Sequence, residues 1–158
     1  MDRLWAPWRL GYIQRKKQKS CVFCIRKKSV SKKYVFIKNK LSFAILNKFP
    51  YNNGHVLVAP LRHIKDISRL KYDEVADLFK TITEAKDILN RILGPCGFNI
   101  GINISRPAGA GITGHLHIHI VPRFSGDTNF MPVISGTRII SQSLDDLYKR
   151  IKKVRKLC

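Results

Sequence analysis

The chain is 158 residues long and 44% hydrophobic, and 30 Lys+Arg against 10 Asp+Glu give it a formal net charge of +20. That length suits one soluble globular domain with a real core, and no apolar run approaches the roughly 20 residues that cross a bilayer. The N-terminus lacks the apolar stretch of a signal peptide, so a cytoplasmic protein with no membrane partner is expected.

Residues 1–20 read as an arm. Trp5 and Trp8 flank Pro7, and two indoles are too costly to leave in water, so the arm is expected to pack on the body or on a partner subunit. Residues 21–158 then read as a single domain with a C-terminal helical extension. Cys21-Val-Phe-Cys24 opens it. In a cytosolic chain this Cys-x-x-Cys reads as metal-binding or redox, and a thioredoxin-type use wants a β-α-β setting that is missing here. Cys96 and Cys158 read as ordinary thiols.

Tyr34–Lys38 and Ser42–Asn47 form two expected strands around a turn at Asn39-Lys40. Residues 49–54, Phe-Pro-Tyr-Asn-Asn-Gly, make a loop, and residues 55–60 a third strand ended by Pro60. Val75, Leu78, Phe79, Ile82, Ala85, Ile88, Leu89 and Ile92 then recur at helical spacing. Asp73 and Glu74 suit the helix's positive end, and Gly94-Pro95 stops it. Residues 98–104 give a fourth strand, and residues 105–114 a glycine-rich connection. Leu144, Leu147, Ile151 and Val154 mark a last helix, with Ser143 placed to cap it three residues before Asp146. Strands grouped around one long helix favour an α+β domain with an antiparallel sheet.

The fifth strand carries the chemistry. In Gly114-His-Leu-His-Ile-His-Ile-Val-Pro122, three of the five histidines alternate with Leu116, Ile118 and Ile120. A period of two turns the apolar residues to a core and lines His115, His117 and His119 along the opposite face, roughly 7 Å apart. A core needs no such row, and imidazole suits nucleophilic attack, titration or metal binding near neutral pH. His55, at a strand start, is expected to be structural. The positive charge is dispersed over 15–19, 26–28, 32–33 and 149–156. It reads mainly as solvated surface, compatible with a phosphate-rich ligand; nucleic acid is the less favoured partner.

Gly54-His-Val-Leu-Val-Ala-Pro-Leu-Arg-His63, followed by His115-Leu-His-Ile-His-Ile-Val-Pro122, resembles the histidine-triad (HIT) superfamily. Its signature is His-φ-His-φ-His-φ-φ, with φ apolar, and the resemblance covers residues 20–125. Leu4-Trp-Ala-Pro-Trp-Arg9 and residues 121–131 are similar to the branch that includes HIT-type diadenosine tetraphosphate phosphorylases.

The resemblance implies a HIT-like fold: a five-stranded antiparallel sheet, one long helix and a C-terminal helix. It also implies a homodimer with one continuous sheet. The family's nucleophile falls on His117. Asn47 falls where ribose is held, Phe23, Phe43 and Ile45 where adenine is sandwiched, and Asn103, Gly111, Thr113 and Gly114 along the phosphate. In relatives that carry a Cys-x-x-Cys, the positions of Cys21, Cys24, His63 and His115 ligate a structural zinc, which would remove His115 from catalysis.

The residues support that chemistry. An imidazole can attack an α-phosphate to give a nucleotidyl-histidine. His119 can bind the phosphate, or assist the leaving group when protonated. Backbone N–H groups of the glycine-rich loop can approach the phosphate closely. On its own Asn47 could equally be a turn residue. The expected activity is cleavage of dinucleoside polyphosphates at the α-phosphate, by phosphorolysis or hydrolysis. The alternatives are hydrolysis of nucleoside phosphoramidates, aprataxin-like removal of AMP from DNA ends, and nucleotide binding without catalysis. A C-terminal zinc finger of the aprataxin kind is not expected, since only Cys158 follows the triad in this sequence.

Overall fold

The computed structural model describes residues 21–27, 32–127, 140 and 142–155; the arm expected over residues 1–20 lies outside them. Among the described residues, five strands make one antiparallel sheet in the order β1-β2-β3-β5-β4. They are β1 Val35–Lys38, β2 Ser42–Leu46, β3 Val56–Pro60, β4 Gly97–Ile102 and β5 Ile118–Arg123. Helix α1 spans Tyr72–Leu93 between β3 and β4, and α2 spans Leu144–Arg155. No described helix is long and apolar enough to cross a membrane.

Alternation along the strands gives the sheet two faces. Ala44, Leu46, Val56, Val58, Ile118 and Ile120 pack beneath Leu78, Ile82, Ala85, Leu89 and Ile92 of α1 and Leu147 and Ile151 of α2. Each large aliphatic side chain buried there contributes about 1.5–3 kcal/mol. Phe43, Leu57 and Ala59 point the other way and pack with Phe23, Ile25 and Leu61. The N-terminal segment therefore covers the face that the helices leave open.

α1 begins where the sequence suggests. The buried Glu74 carboxylate accepts the Lys71 N–H at 2.9 Å and pairs with the Arg62 guanidinium at 2.6 Å. The helix ends at Gly94, whose φ of 59° is the left-handed cap that glycine adopts cheaply. At the start of α2, Ser143 Oγ accepts the Asp146 N–H at 3.1 Å, as its position promised. α2 is tied to the body by Arg150 donating to the Ile92 carbonyl and Arg155 to the Phe36 carbonyl.

One expectation needs correction. The histidine segment is regular strand only from Ile118; His115 to His117 precede the ladder, because the Leu116 N–H turns aside to the Ile64 carbonyl at 2.6 Å. Leu116, Ile118 and Ile120 are still buried, as the two-residue period required. The helical stripe is also wider than the sheet it covers. Val75 and Phe79 stay 37% and 65% exposed, and Ile100 and Ile102 on the outer strand β4 stay 48% and 39% exposed.

Candidate active site and metal cluster

The β3–β5 register sets the site. Leu57 pairs with His119 and Val56 with Ile120, so His55, two residues before Leu57, shares the face of His117 and His119. The turn before His55 depends on Gly54. Its φ is +79°, and a Cβ there would lie 2.4 Å from Leu93 Cδ1 and 3.0 Å from Pro122 Cγ. Asn52 ties the same loop to the end of β5, donating to the Pro122 carbonyl at 3.1 Å and to Asp127 at 2.8 Å.

At one end of the row, Cys21, Cys24, His63 and His115 converge, with their four ligand atoms all within 4.8 Å of one another. Cys21 Sγ lies 3.3 Å from His115 Nδ1, and Cys24 Sγ 3.3 Å from His63 Nδ1. His115 Nε2 lies 2.9 Å from the Pro60 carbonyl. A carbonyl only accepts, so that nitrogen carries the proton and Nδ1 offers its lone pair to the thiols. A ring nitrogen bound to a carbonyl while its mate faces soft donors is the usual arrangement of a metal-ligating histidine. Burial pushes the Cys21 thiol up, so a thiolate there requires a cation beside it. The residues fit a Cys₂His₂ metal site.

His117 stands next along the row, 5% exposed. Its Nδ1 lies 2.9 Å from the His115 carbonyl, and its ring lies 5.0 Å from that of His119. Burial lowers the pKa of His117, that of His119 to about 4 and that of His55 to about 3. His119 Nδ1 meets His55 Nε2 at 2.9 Å, and the Tyr51 ring stacks near His119 at 10° and 5.7 Å between centroids.

Of the remaining residues expected at the site, Phe23 and Asn47 contact this histidine cluster. Phe23 is buried against His117, with ring centroids 4.9 Å apart, and Phe43 lies behind it at 6.4 Å. Ile45 is partly buried against the same cluster, beside Val22, Val35 and Ile112. Asn47 Oδ1 accepts the Phe49 N–H at 3.0 Å, and its Nδ2 faces His55 at 3.2 Å. Asn103 is half-buried, while Gly111, Thr113 and Gly114 are exposed. The loop between them is closed by the Ala110 N–H on the Ser105 carbonyl at 3.2 Å, and Ser105 takes a left-handed φ of 72°.

Sequence reasoning missed the contact of His55 with His119. That partner is named by strand parity, which becomes readable only once β3 is known to pair with β5. Tyr51 carried no signal beyond its place in a loop.

Residues 28–126 match the HIT domain family. The chain is 35% identical over 156 residues to the AP-4-A phosphorylase of Mycobacterium tuberculosis, spanning 92% of this chain and 80% of that one. It is 36% identical over 93 residues to the asymmetrical bis(5'-nucleosyl)-tetraphosphatase of Schizosaccharomyces pombe, spanning 59% of this chain and 50% of that one. Among solved structures, a hypothetical histidine triad nucleotide-binding protein from Sulfolobus tokodaii superposes with a TM-score of 0.70 at 29% identity. That match covers 87% of this chain and 93% of the other.

Proposed function

This chain belongs to the HIT domain family, and on that premise we propose that it is an enzyme cleaving dinucleoside polyphosphates of the diadenosine tetraphosphate type at the α-phosphate. One observation carries the reading. His117 gives its Nδ1 proton to the His115 carbonyl at 2.9 Å, which leaves the Nε2 lone pair free to attack. Burial holds the ring's pKa down, so the neutral, nucleophilic form prevails at pH 7.

Attack by His117 Nε2 on the α-phosphorus forms a P–N bond and breaks the P–O bond to the rest of the substrate. The electron pair of that bond goes to the departing oxygen, so ATP leaves diadenosine tetraphosphate as an anion. The adenylyl group then passes from His117 to an acceptor. Phosphate as acceptor gives ADP and water gives AMP, and in both cases the lone pair returns to Nε2. Ile45, backed by Phe23 and Phe43, offers an apolar wall to the base. In this reading Asn47 binds the ribose, and Asn103 and the loop of Gly111, Thr113 and Gly114 bind the phosphates, as the family likeness implies.

Cys21, Cys24, His63 and His115 are the residues that would hold zinc, as a Cys₂His₂ set. A bound zinc there contributes folding free energy and pins the segment around Phe23 onto the catalytic row. Unoxidised thiols of this kind suit the cytoplasm.

A second copy of the chain is proposed to cover the apolar strip that one copy leaves open. Among the described residues β4 is an edge strand; its Ile102 lines one groove with Val75 and Phe79 of α1, and Ile100 is exposed on the same strand. This groove, of about 480 Å³, is lined by Ile67, Val75, Phe79, Ile102, Leu116 and Ile118. An open strand edge with exposed apolar neighbours is stabilised by pairing, here β4 with β4 of the copy.

Product analysis on diadenosine tetraphosphate, with and without inorganic phosphate, tests the reading. ADP plus ATP appearing only with phosphate identifies a phosphorylase, and AMP plus ATP an asymmetric hydrolase. No turnover in either condition would overturn it.

A further inference from the structure

Three contacts around His55 have a direction. The Tyr51 backbone N–H donates to His55 Nδ1 at 3.0 Å. Asn47 Nδ2 points at the same nitrogen from 3.2 Å, its orientation set because its Oδ1 accepts the Phe49 N–H at 3.0 Å. An atom that receives donors is an acceptor, so His55 Nδ1 has no proton and a neutral His55 carries it on Nε2. That Nε2 lies 2.9 Å from His119 Nδ1. His119 Nδ1 must then accept, and the single proton of a neutral His119 sits on Nε2. Burial keeps both rings neutral near pH 7, with pKa values of about 3 and 4. The chain of consequences starts from a backbone amide, which cannot change its polarity.

The far end of this chain is open. His119 Nε2 is a buried side-chain nitrogen without a hydrogen-bond partner among the described residues. An unmet buried donor costs about 1–3 kcal/mol, and such a group beside a nucleophile is satisfied by the ligand. His119 lies next to His117, with ring centroids 5.0 Å apart.

Building on the proposed function, we propose that His55 is a positioning residue. It relays the fixed polarity of the Tyr51 amide to His119 and holds the His119 proton on Nε2, aimed at the oxygen that leaves the α-phosphate. His119 thereby acts as a neutral hydrogen-bond donor and keeps its proton. This differs from the protonated acid expected from the residue type alone. No proton has to be transferred, because the polyphosphate departs as an anion and needs only its charge stabilised.

Two measurements test this. Nitrogen-detected NMR of the wild-type protein near pH 7 should show both His55 and His119 as Nε2–H tautomers; a His119 protonated on Nδ1 would overturn the relay. Kinetics on a series of aryl esters of AMP, spanning phenols of rising pKa, reads the donor directly. His55→Phe keeps the ring volume without a donor. It should steepen the dependence of kcat on phenol pKa and lower kcat for the poorest leaving group on the order of tenfold, the worth of one hydrogen bond. His55→Gln can accept from Tyr51 and donate to His119, and should stay near the wild-type slope. An unchanged slope in His55→Phe would overturn the proposal, since lost packing slows all esters alike. A wild-type chain inert toward every ester would overturn the enzymatic reading and the leaving-group half of the proposal, while the spectrum decides the tautomer half separately.

Discussion

His117 donates from Nδ1 to the carbonyl of His115 at 2.9 Å, and His115 itself turns Nδ1 to the thiols of Cys21 and Cys24. One residue thus ends the Cys₂His₂ cluster with its side chain and orients the proposed nucleophile with its backbone. Phe23, between the two cysteines in sequence, packs against both rings, 5.5 Å from His115 and 4.9 Å from His117. The cluster and the proposed nucleophile are thus packed through shared residues, so loss of a metal held there is predicted to be felt in catalysis.

The purified protein should carry about one zinc per chain by elemental analysis. Cys24→Ala should lose the metal, melt several degrees lower and turn over more slowly, because its loss frees His115 and Phe23 together. His119→Ala should keep the metal and lose rate. Metal content near zero, with Cys24→Ala melting like wild type, would return His115 to the active site.

Light scattering at micromolar concentration should give twice the chain mass. Phe79→Glu or Ile102→Lys should drive the protein toward monomer, since each puts a charge into the exposed apolar strip. A wild-type monomer would remove the shared-sheet arrangement.

Stability should fall on the acid side of neutrality. Folded His55 and His119 titrate near 3 and 4, against a usual 6.5, so between these values the unfolded chain binds more protons than the folded one. Their contribution is fully present above about 6.5 and is lost as pH falls toward 3. Melting temperatures should decline across that window, and His55→Gln should decline less. Parallel curves for the two proteins would contradict the burial of His55 as a neutral ring.

Much of this was legible in the sequence, because its signals are periodic or chemically selective. The alternation of Leu116, Ile118 and Ile120 named the buried face, and the stripe from Leu78 to Ile92 named the helix. The cysteine pair with His63 and His115 was readable through the family likeness, and the four do converge. What escaped depends on tertiary pairing. The Ile64 carbonyl that captures the Leu116 N–H delays the start of β5, and no local rule announces it. Helical spacing marks Val75 and Phe79 as apolar without saying what they face. The contact of His55 was not legible because its partner is 64 residues away, on a strand whose register with β3 the sequence does not state.

The central claim is that His117 becomes covalently adenylylated, and mass spectrometry of acid-quenched enzyme tests it most directly. Mixed with diadenosine tetraphosphate and quenched before steady state, the chain should gain the mass of one adenylyl group. The adduct should map to His117, and His117→Ala should show none while still binding AMP by calorimetry. An adduct on His119, or full turnover by His117→Ala, would contradict the account.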